Sequence, residues 1–413
     1  MKKALVLAGG IPQIELIKEL KRRGYFTILA DYYENPVAKP YADKFYQEST
    51  LDLEMIEKIA VEEKVEFIIT VCTDQAVHTM AYVSEKLGLP CYIDYETAVN
   101  VTNKEYMKKV FVANNISTAK HIAVKEFDAS LFEGMSYPLI VKPADCNSSK
   151  GVKKVTNIEE LKLAVLTALE LSRTDTAIVE EFITGEEISV DAYIEDGKAH
   201  ILCVSNNDKI KDAEKFVIFR GRYPAIDLEY VEDKIQKTVQ QIAESFGLKN
   251  TPMLVQMINT GSDIYVLEFC ARTGGGVKYI MIDYASSFNV INAVIDLTEG
   301  KKPHIAEIKK KNTHFANEFV YCKDGVFDHL EGFEELKEEG IIKDYYLLKW
   351  KGIKMSGVAS SGDRICGFTI AADSKEELEQ LHDTVAKRVK VIDENGQDMM
   401  RHDLLTCLYE GRE

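Results

Sequence analysis

Apolar and polar positions along the first hundred or so residues fall into two alternating rhythms. "KALVLAGG", "FTILADY" and "VEFIITVCTD" hold short continuous apolar runs, whereas "IELIKELKRRG" and "LEMIEKIAVEEK" repeat apolar residues at helical spacing. That order predicts parallel βαβ units, and so an open sheet covered by helices. Farther on, "NKEYMKKVFVANN" predicts a helix near 103–114, and "HIAVKEF" and "YPLIVKPA" read as strands. Residues 175–203 read as an antiparallel pair with "EDGK" as a hairpin turn. A helix over 232–246, a strand hairpin over 252–270 turning at "NTGSD", and a mixed α+β tail over 301–413 complete the pattern. The tail includes the amphipathic "SKEELEQLHDTVAKRVKVI". No internal repeat or low-complexity linker divides the chain.

Composition narrows the classes. With 413 residues and 46% hydrophobic content, the chain has core enough for two or three globular domains. It holds no run of about 18 apolar residues, and "MKKALVLAGG" is too short an apolar start for a signal peptide. A cytoplasmic protein without membrane contact is the expectation. The eight cysteines are scattered with no Cys-x-x-Cys pair, which predicts reduced thiols. A formal net charge of −16 argues against nucleic-acid binding. An acidic body can still bind phosphates where lysines, arginines and a metal gather locally. The turn "LAGGIPQ" lacks the spaced glycines of a dinucleotide site.

Four stretches carry chemistry. "IYVLEFCARTGGG", residues 264–276, reads as a strand that brings Glu268 to its tip, then Arg272, then bare backbone. Such a run can hold a metal ion and let an anion approach closely. In "PLIVKPADCNSSKGVKKV", residues 138–155, Lys142 ends a strand and is followed by a small polar turn rich in potential donors to phosphate. "AIVEEFITGEEISVD", residues 177–191, is either a solvated acidic hairpin or a surface on which main chain meets a base edge and Glu187 meets a ribose. "KIKDAEKFVIFRGRYPA", residues 209–225, carries Lys215, Arg220 and Arg222 and is either a solvated basic strand or part of an acceptor pocket.

Taken in order, Lys104, Lys142, the small-residue loop, "EEFITGEE", Gln256, Glu268 and Arg272 resemble the ATP-grasp superfamily of carboxylate–amine and carboxylate–thiol ligases. The tail "MSGVASSGDRICGFTIAADSKEELEQL" is similar to the branch with biotin carboxylase, the purine-pathway ligases and L-amino-acid ligases. The resemblance implies an α/β protein. Residues 1–100 would form an open parallel α/β domain, and 101–300 an ATP-grasp domain of two α+β subdomains with its lid near 115–190. Residues 301–413 would form a C-terminal α+β segment completing that module.

It also implies roles. Lys104 and Lys142 would bind the α- and β-phosphates of ATP, under a lid loop containing Ser148, Ser149 and Gly151. Glu180, Glu181 and the main chain of Ile183 would meet adenine, and Glu187 the ribose. Gln256 and Glu268 would hold magnesium, or manganese in its place, and Arg272, Gly274 and Gly275 would stabilise the acyl phosphate and tetrahedral intermediate. Arg220 and Arg222 lie in a stretch the family uses near substrate. The expected partners are a small-molecule carboxylate and an amine, with a homodimer as a compatible assembly. Two positions depart from the family pattern. Cys270 stands where Glu-x-Asn-x-Arg would place an asparagine, and Gln256 stands where an acid is usual. A biotin-carboxylase-like or purine-pathway ligase and a non-catalytic ATP-binding module therefore remain alternatives.

Overall fold

The computed structural model describes residues 2–146, 150–210, 216–305, 313–406 and 408–409. The N-terminal rhythm folds as its periodicity dictates, into β1 (Lys3–Leu7), α1 (Ile11–Arg22), β2 (Phe26–Asp31), β3 (Lys44–Gln47), α2 (Leu53–Glu63), β4 (Phe67–Ile69), α3 (Asp74–Leu87) and α4 (Tyr95–Asn100). Next come α5 (Lys104–Ala113), β5 (His121–Val124), β6 (Leu139–Pro143), β7 (Lys153–Val155), α6 (Ile158–Leu171), β8 (Ala177–Glu181), β9 (Glu186–Glu195) and β10 (Lys198–Lys209). They are followed by β11 (Ile218–Tyr223), α7 (Glu232–Ser245), β12 (Thr251–Asn259), β13 (Ile264–Cys270), α8 (Lys278–Ser286), α9 (Val290–Thr298) and β14 (His314–Val320). The chain closes with β15 (Gly325–Glu331), α10 (Phe333–Glu338), β16 (Asp344–Leu347), β17 (Lys354–Met355), β18 (Cys366–Ala372), α11 (Lys375–Arg388) and β19 (Lys390–Asp393).

These elements form two compact units, the first comprising Met1–Thr118, Ser189–Val204 and Leu228–Lys310. In it, β3-β2-β1-β4 form a parallel sheet, with Lys3 opposite Phe26 and Ala4 opposite Phe67. Ala4, Leu5, Val6 and Leu7 are fully buried, as expected of a parallel strand covered on both faces. Leu16, Ile17 and Leu20 of α1 share this core with Ile291, Val294 and Ile295 of α9. The N-terminal sheet thus borrows a helix from some 200 residues downstream, and Arg23 fastens it by donating to Asp296 (2.5 Å) and Glu299 (2.9 Å). Asp31, at the end of β2, accepts from the amides of Gly9 (2.6 Å) and Tyr33 (2.7 Å). The carboxylate therefore takes up a glycine amide that a dinucleotide phosphate would need.

The first unit also holds β13, β12, β9 from Ser189 and β10 to Val204, in that order. In the β12–β13 hairpin, Met257 faces Val266 but Gln256 faces Glu268, which leaves Leu267 as an extra residue. This bulge shifts the alternation by one position. Ile264, Val266 and Phe269 all become buried despite their uneven spacing, while Glu268 and Cys270 share the less buried side.

The second unit comprises Ala119–Ile188, Ser205–Asp227 and Lys311–Glu413. One part is the antiparallel sheet β5-β8-β6-β7, covered by α6, whose Leu161, Ala164, Val165 and Ala168 pack on Leu139, Val141 and Val179. The other contains β11-β14-β18-β16 and the small sheet β17-β15-β19, with Leu378 and Val385 of α11 in its core. The expected pairing within 175–203 is only half right. β9 and β10 form the hairpin, turning at Asp196 and Gly197 with φ of 48° and 88°, but β8 pairs with β5 and β6. The turn at Gly185 passes the chain from one sheet to another.

Cys72, Cys91, Cys146, Cys203, Cys270, Cys322 and Cys366 are free thiols, and Cys407 lies outside the described residues. Among the described residues, no single helix is long and apolar enough to cross a membrane.

Candidate active site

The first unit holds six of the expected residues, Lys104, Gln256, Glu268, Arg272, Gly274 and Gly275. Asn103 caps α5 by accepting from the Tyr106 amide (3.0 Å), which starts the helix at Lys104. The Lys104 side chain is buried and its Nζ lies 3.1 Å from Glu268 Oε2. Burial works against the lysine's charge, but Glu268 outweighs it and holds the pKa above its ordinary value. Gln256 stands directly opposite Glu268 in the hairpin.

One turn of chain beyond, Arg272 donates through Nε and Nη2 to the two oxygens of Asp74, and through Nη1 to Thr273 O (2.6 Å). The paired fork fixes the guanidinium plane. Asp74 also hydrogen-bonds the Cys270 thiol. Burial opposes ionisation of Asp74, yet Arg272 prevails and keeps its pKa below the usual carboxylate value. Burial and the neighbouring Asp74 push the Cys270 thiol well above its ordinary pKa. Cys270 is therefore a neutral thiol, not a thiolate ligand.

The glycine run has two kinds of position. A Cβ on Gly274 would come within 2.9 Å of Lys278 Cγ and 3.0 Å of Asp191 Oδ1, so only glycine lets the backbone come so close. At Gly275 a Cβ would meet nothing nearer than Cys72 O at 3.7 Å. The expectation that Gly274 offers its amide to an intermediate meets an obstacle, because that N–H donates to Asp191 Oδ1 at 3.3 Å. Gly275 is exposed.

The donor set suits magnesium in one respect only. Glu268 and Gln256 supply hard oxygens, while Cys270 supplies a poor ligand. Among the described residues no group of three His, Cys, Asp or Glu side chains could hold a metal. Magnesium is commonly held by one or two carboxylates together with substrate phosphates, and the residues present fit that arrangement.

In the second unit, Lys142 ends β6 buried, with Nζ 2.9 Å from Glu180 Oε2 on the neighbouring strand β8. The Glu181 carboxylate accepts from Ser136 N at 2.9 Å, and the amides of Glu181 and Phe182 donate to Lys120 O (2.9 Å) and Pro138 O (3.0 Å). Those two amides are already committed. Glu187, buried at the start of β9, accepts from Asn207 Nδ2 (3.1 Å) and pairs with Lys209. Gly151 has φ of 74°, and a Cβ there would approach Leu171 Cδ1 to 2.7 Å. Ser148, Ser149 and Lys215 lie outside the described residues.

Arg220 and Arg222 lie on β11, in the second unit. Both are buried and already paired within their own unit. Arg222 donates to Asp208 through Nε (2.8 Å) and Nη2 (2.9 Å). Arg220 pairs with Glu318 and donates through Nη2 to Thr406 O (2.7 Å). Both guanidiniums are held by carboxylates of neighbouring strands, Asp208 on β10 and Glu318 on β14. The sequence could not reveal this, because Asp208 and Glu318 lie on other strands.

Two further acids were missed, Asp74 and Asp191. Asp74 had a visible signal: it ends the apolar run "VEFIITVCTD" and opens a helix, the carboxyl end of a parallel strand where open α/β sheets place functional groups. Asp191, inside an alternating strand, had none.

Residues 135–280 match the ATP-grasp domain family. The chain carries an ATP-grasp domain. Over 182 residues it is 29% identical to D-alanine–D-alanine ligase B of Clostridium perfringens, a match covering 43% of this chain and 55% of that ligase. Over 294 residues it is 24% identical to phosphoribosylamine–glycine ligase of Streptococcus pneumoniae, covering 67% of this chain and 69% of that one. The chain thus spans little more than half of the first of these relatives. Its fold is similar to that of L-amino acid ligase from Bacillus licheniformis, with a TM-score of 0.81 at 20% identity over 96% of this chain and 99% of that one. The matched ATP-grasp segment includes every expected site residue except Lys104.

Proposed function

We propose that this ATP-grasp protein is an ATP-dependent ligase joining a carboxylate to an amine through an acyl phosphate, with an amino-acid or dipeptide-type product. The observation that carries this reading is the set in the first unit, where Glu268 faces Gln256 and pairs with Lys104 while Arg272 is held by Asp74. In the first step a substrate carboxylate oxygen attacks the γ-phosphorus of ATP, and ADP leaves. In the second, the amine nitrogen attacks the acyl carbon, the carbon–oxygen bond to phosphate breaks, and phosphate leaves. Neither step needs a nucleophilic side chain, so the protein's work is positioning and charge neutralisation.

On this reading residues 1–100 are the leading α/β domain, 101–300 the ATP-grasp domain with its lid at about 115–190, and 301–413 its completing segment. Lys104 and Lys142 each bind nucleotide phosphates, and Gly151 belongs to the lid loop. Glu180, Glu181 and Ile183 receive adenine, and Glu187 the ribose. Glu268 and Gln256 hold magnesium, or manganese in its place, which when bound neutralises charge on the transferring phosphoryl group. Arg272 and the Gly275 amide face the developing oxyanion. Asp74 acts through Arg272 as a positioning residue. Each proposed phosphate-binding lysine has a carboxylate neighbour within its own unit, Lys104 with Glu268 and Lys142 with Glu180, so each charge is neutralised before nucleotide arrives.

The test is ATP-dependent phosphate release against a matrix of amino acids, bicarbonate and purine intermediates. Release requiring both a carboxylate and an amine supports the ligase, whereas nucleotide binding with no release in any pairing leaves a binding module. Two variants refine it. Lys142→Ala should weaken ATP binding by about tenfold to a hundredfold, the loss of one or two charge-assisted contacts, with the far-ultraviolet spectrum unaltered; unchanged affinity by calorimetry would remove Lys142 from the phosphate site. Cys270→Asn should preserve or raise turnover, because an amide oxygen is a better magnesium ligand than a neutral thiol. A large loss in that variant would give the thiol a role of its own.

A further inference from the structure

Asp191 on β9 is 1% exposed, and its Oδ2 is buried with no hydrogen-bond partner among the described residues. Among the described residues its other oxygen accepts the long bond from Gly274 N at 3.3 Å and no other. A buried carboxylate left half-satisfied costs free energy, and native structures retain such groups where they serve a purpose. Gly274 is the residue whose missing side chain lets the backbone reach this carboxylate, and Arg272 lies two residues before it. The charged and titratable groups around Asp191 are Lys278 of α8, Arg272, Cys203 of β10 and Cys72. Burial dominates their effect and raises the Asp191 pKa above that of an ordinary aspartate, while Lys278, Gly274 and Arg272 pull the other way.

We propose that Asp191 binds the ammonium group of the amine substrate and takes its proton before the nitrogen attacks, an assignment that rests on the ligase reading above. An amino-acid ammonium has no lone pair to offer. One N–H bond breaks and its proton passes to Asp191 Oδ2. The freed lone pair forms the bond to the acyl carbon, the carbon–oxygen bond to phosphate breaks, and the nitrogen's second proton leaves with the departing phosphate. A base with a raised pKa is stronger than a solvated carboxylate, and an unpaired buried oxygen is a ready acceptor. The same negative group favours a cationic amine over an anionic nucleophile in the second step.

Hydroxylamine separates this role from a structural one, because it is uncharged near neutral pH and captures acyl phosphates without first losing a proton. With Asp191→Asn, the loss of rate with the amine substrate should exceed the loss with hydroxylamine by about a hundredfold, the lower range for a general base. Equal losses would overturn the assignment. Should the variant not fold, the wild-type protein still decides. Its rate with the amine should fall on the acid side as Asp191 protonates, and hydroxamate formation, expressed per concentration of unprotonated hydroxylamine, should lack that limb; the same limb with both nucleophiles after that correction overturns the proposal. Absence of hydroxamate and of phosphate release with every carboxylate would instead remove the ligase reading, and this assignment with it.

Discussion

Glu268→Gln is expected to lower ATP-dependent phosphate release by about a hundredfold to a thousandfold, the cost of removing one preorganised electrostatic contact from a phosphoryl-transfer site. Glu268 is the carboxylate in the proposed metal pair, since Gln256 opposite it is neutral and Cys270 on the same side is a protonated thiol. The substitution also strips Lys104 of its counter-ion, 3.1 Å away. Two effects then oppose each other. A lysine released from Glu268 binds phosphate more readily, which favours nucleotide binding, whereas the lost carboxylate disfavours the metal that accompanies the nucleotide. Affinity for ATP measured without magnesium should therefore hold or rise, while the gain in affinity on adding magnesium should shrink. Calorimetric titration of ATP with and without magnesium, alongside phosphate release, checks both halves. Full activity in Glu268→Gln would place the metal on other residues. With one carboxylate in the set, magnesium should bind the free protein weakly and the nucleotide-bound protein well.

The N-terminal sheet was legible because its strands are buried on both faces and its helices on one, so each announces its period. β3 escaped because "KFYQ" is a half-exposed edge strand with no apolar run. α9 escaped because it is short: within Val290–Thr298 its polar face amounts to Asn292 and Asp296 amid buried Val290, Ile291, Ala293, Val294 and Ile295, too few positions to announce a helical period. Simple alternation placed Glu268 and Cys270 on one side correctly, but it could not place Val266 and Phe269 together, because the Leu267 bulge belongs to the pairing and not to the strand. The polar candidates divide the same way. Lys104, Lys142, Glu180, Gln256, Glu268 and Arg272 are proposed from motif order, whereas the ion-pair partners of Arg272 and Arg220 are not. Asp74 meets Arg272 across 198 residues of sequence, and Glu318 meets Arg220 across 98. Pairing at such separations is decided by topology, and the chemistry of a paired arginine differs from that of a free one.

That difference sets the second large effect. Glu318→Gln should destabilise the protein by about 3–5 kcal/mol, the cost of leaving a buried charge without its partner. Glu318 is fully buried, and its Oε1 meets both Arg220 and, at 3.0 Å, His382 Nε2, itself fully buried. Once the glutamate is neutral, Asp208 lies 3.7 Å from Arg220 but already accepts two bonds from Arg222. The guanidinium cannot escape by losing its proton, because arginine stays charged in proteins. A control comes from Glu339, whose two oxygens meet Arg388 at 2.6 Å in an exposed pair. Solvent and ions can replace either partner there, so Glu339→Gln should leave the unfolding midpoint almost where it was. Chemical denaturation of the two variants against the parent measures the contrast. A large loss in Glu318→Gln alone marks Arg220 as a residue of the fold. Near-parent stability with altered substrate kinetics would place it in the acceptor site.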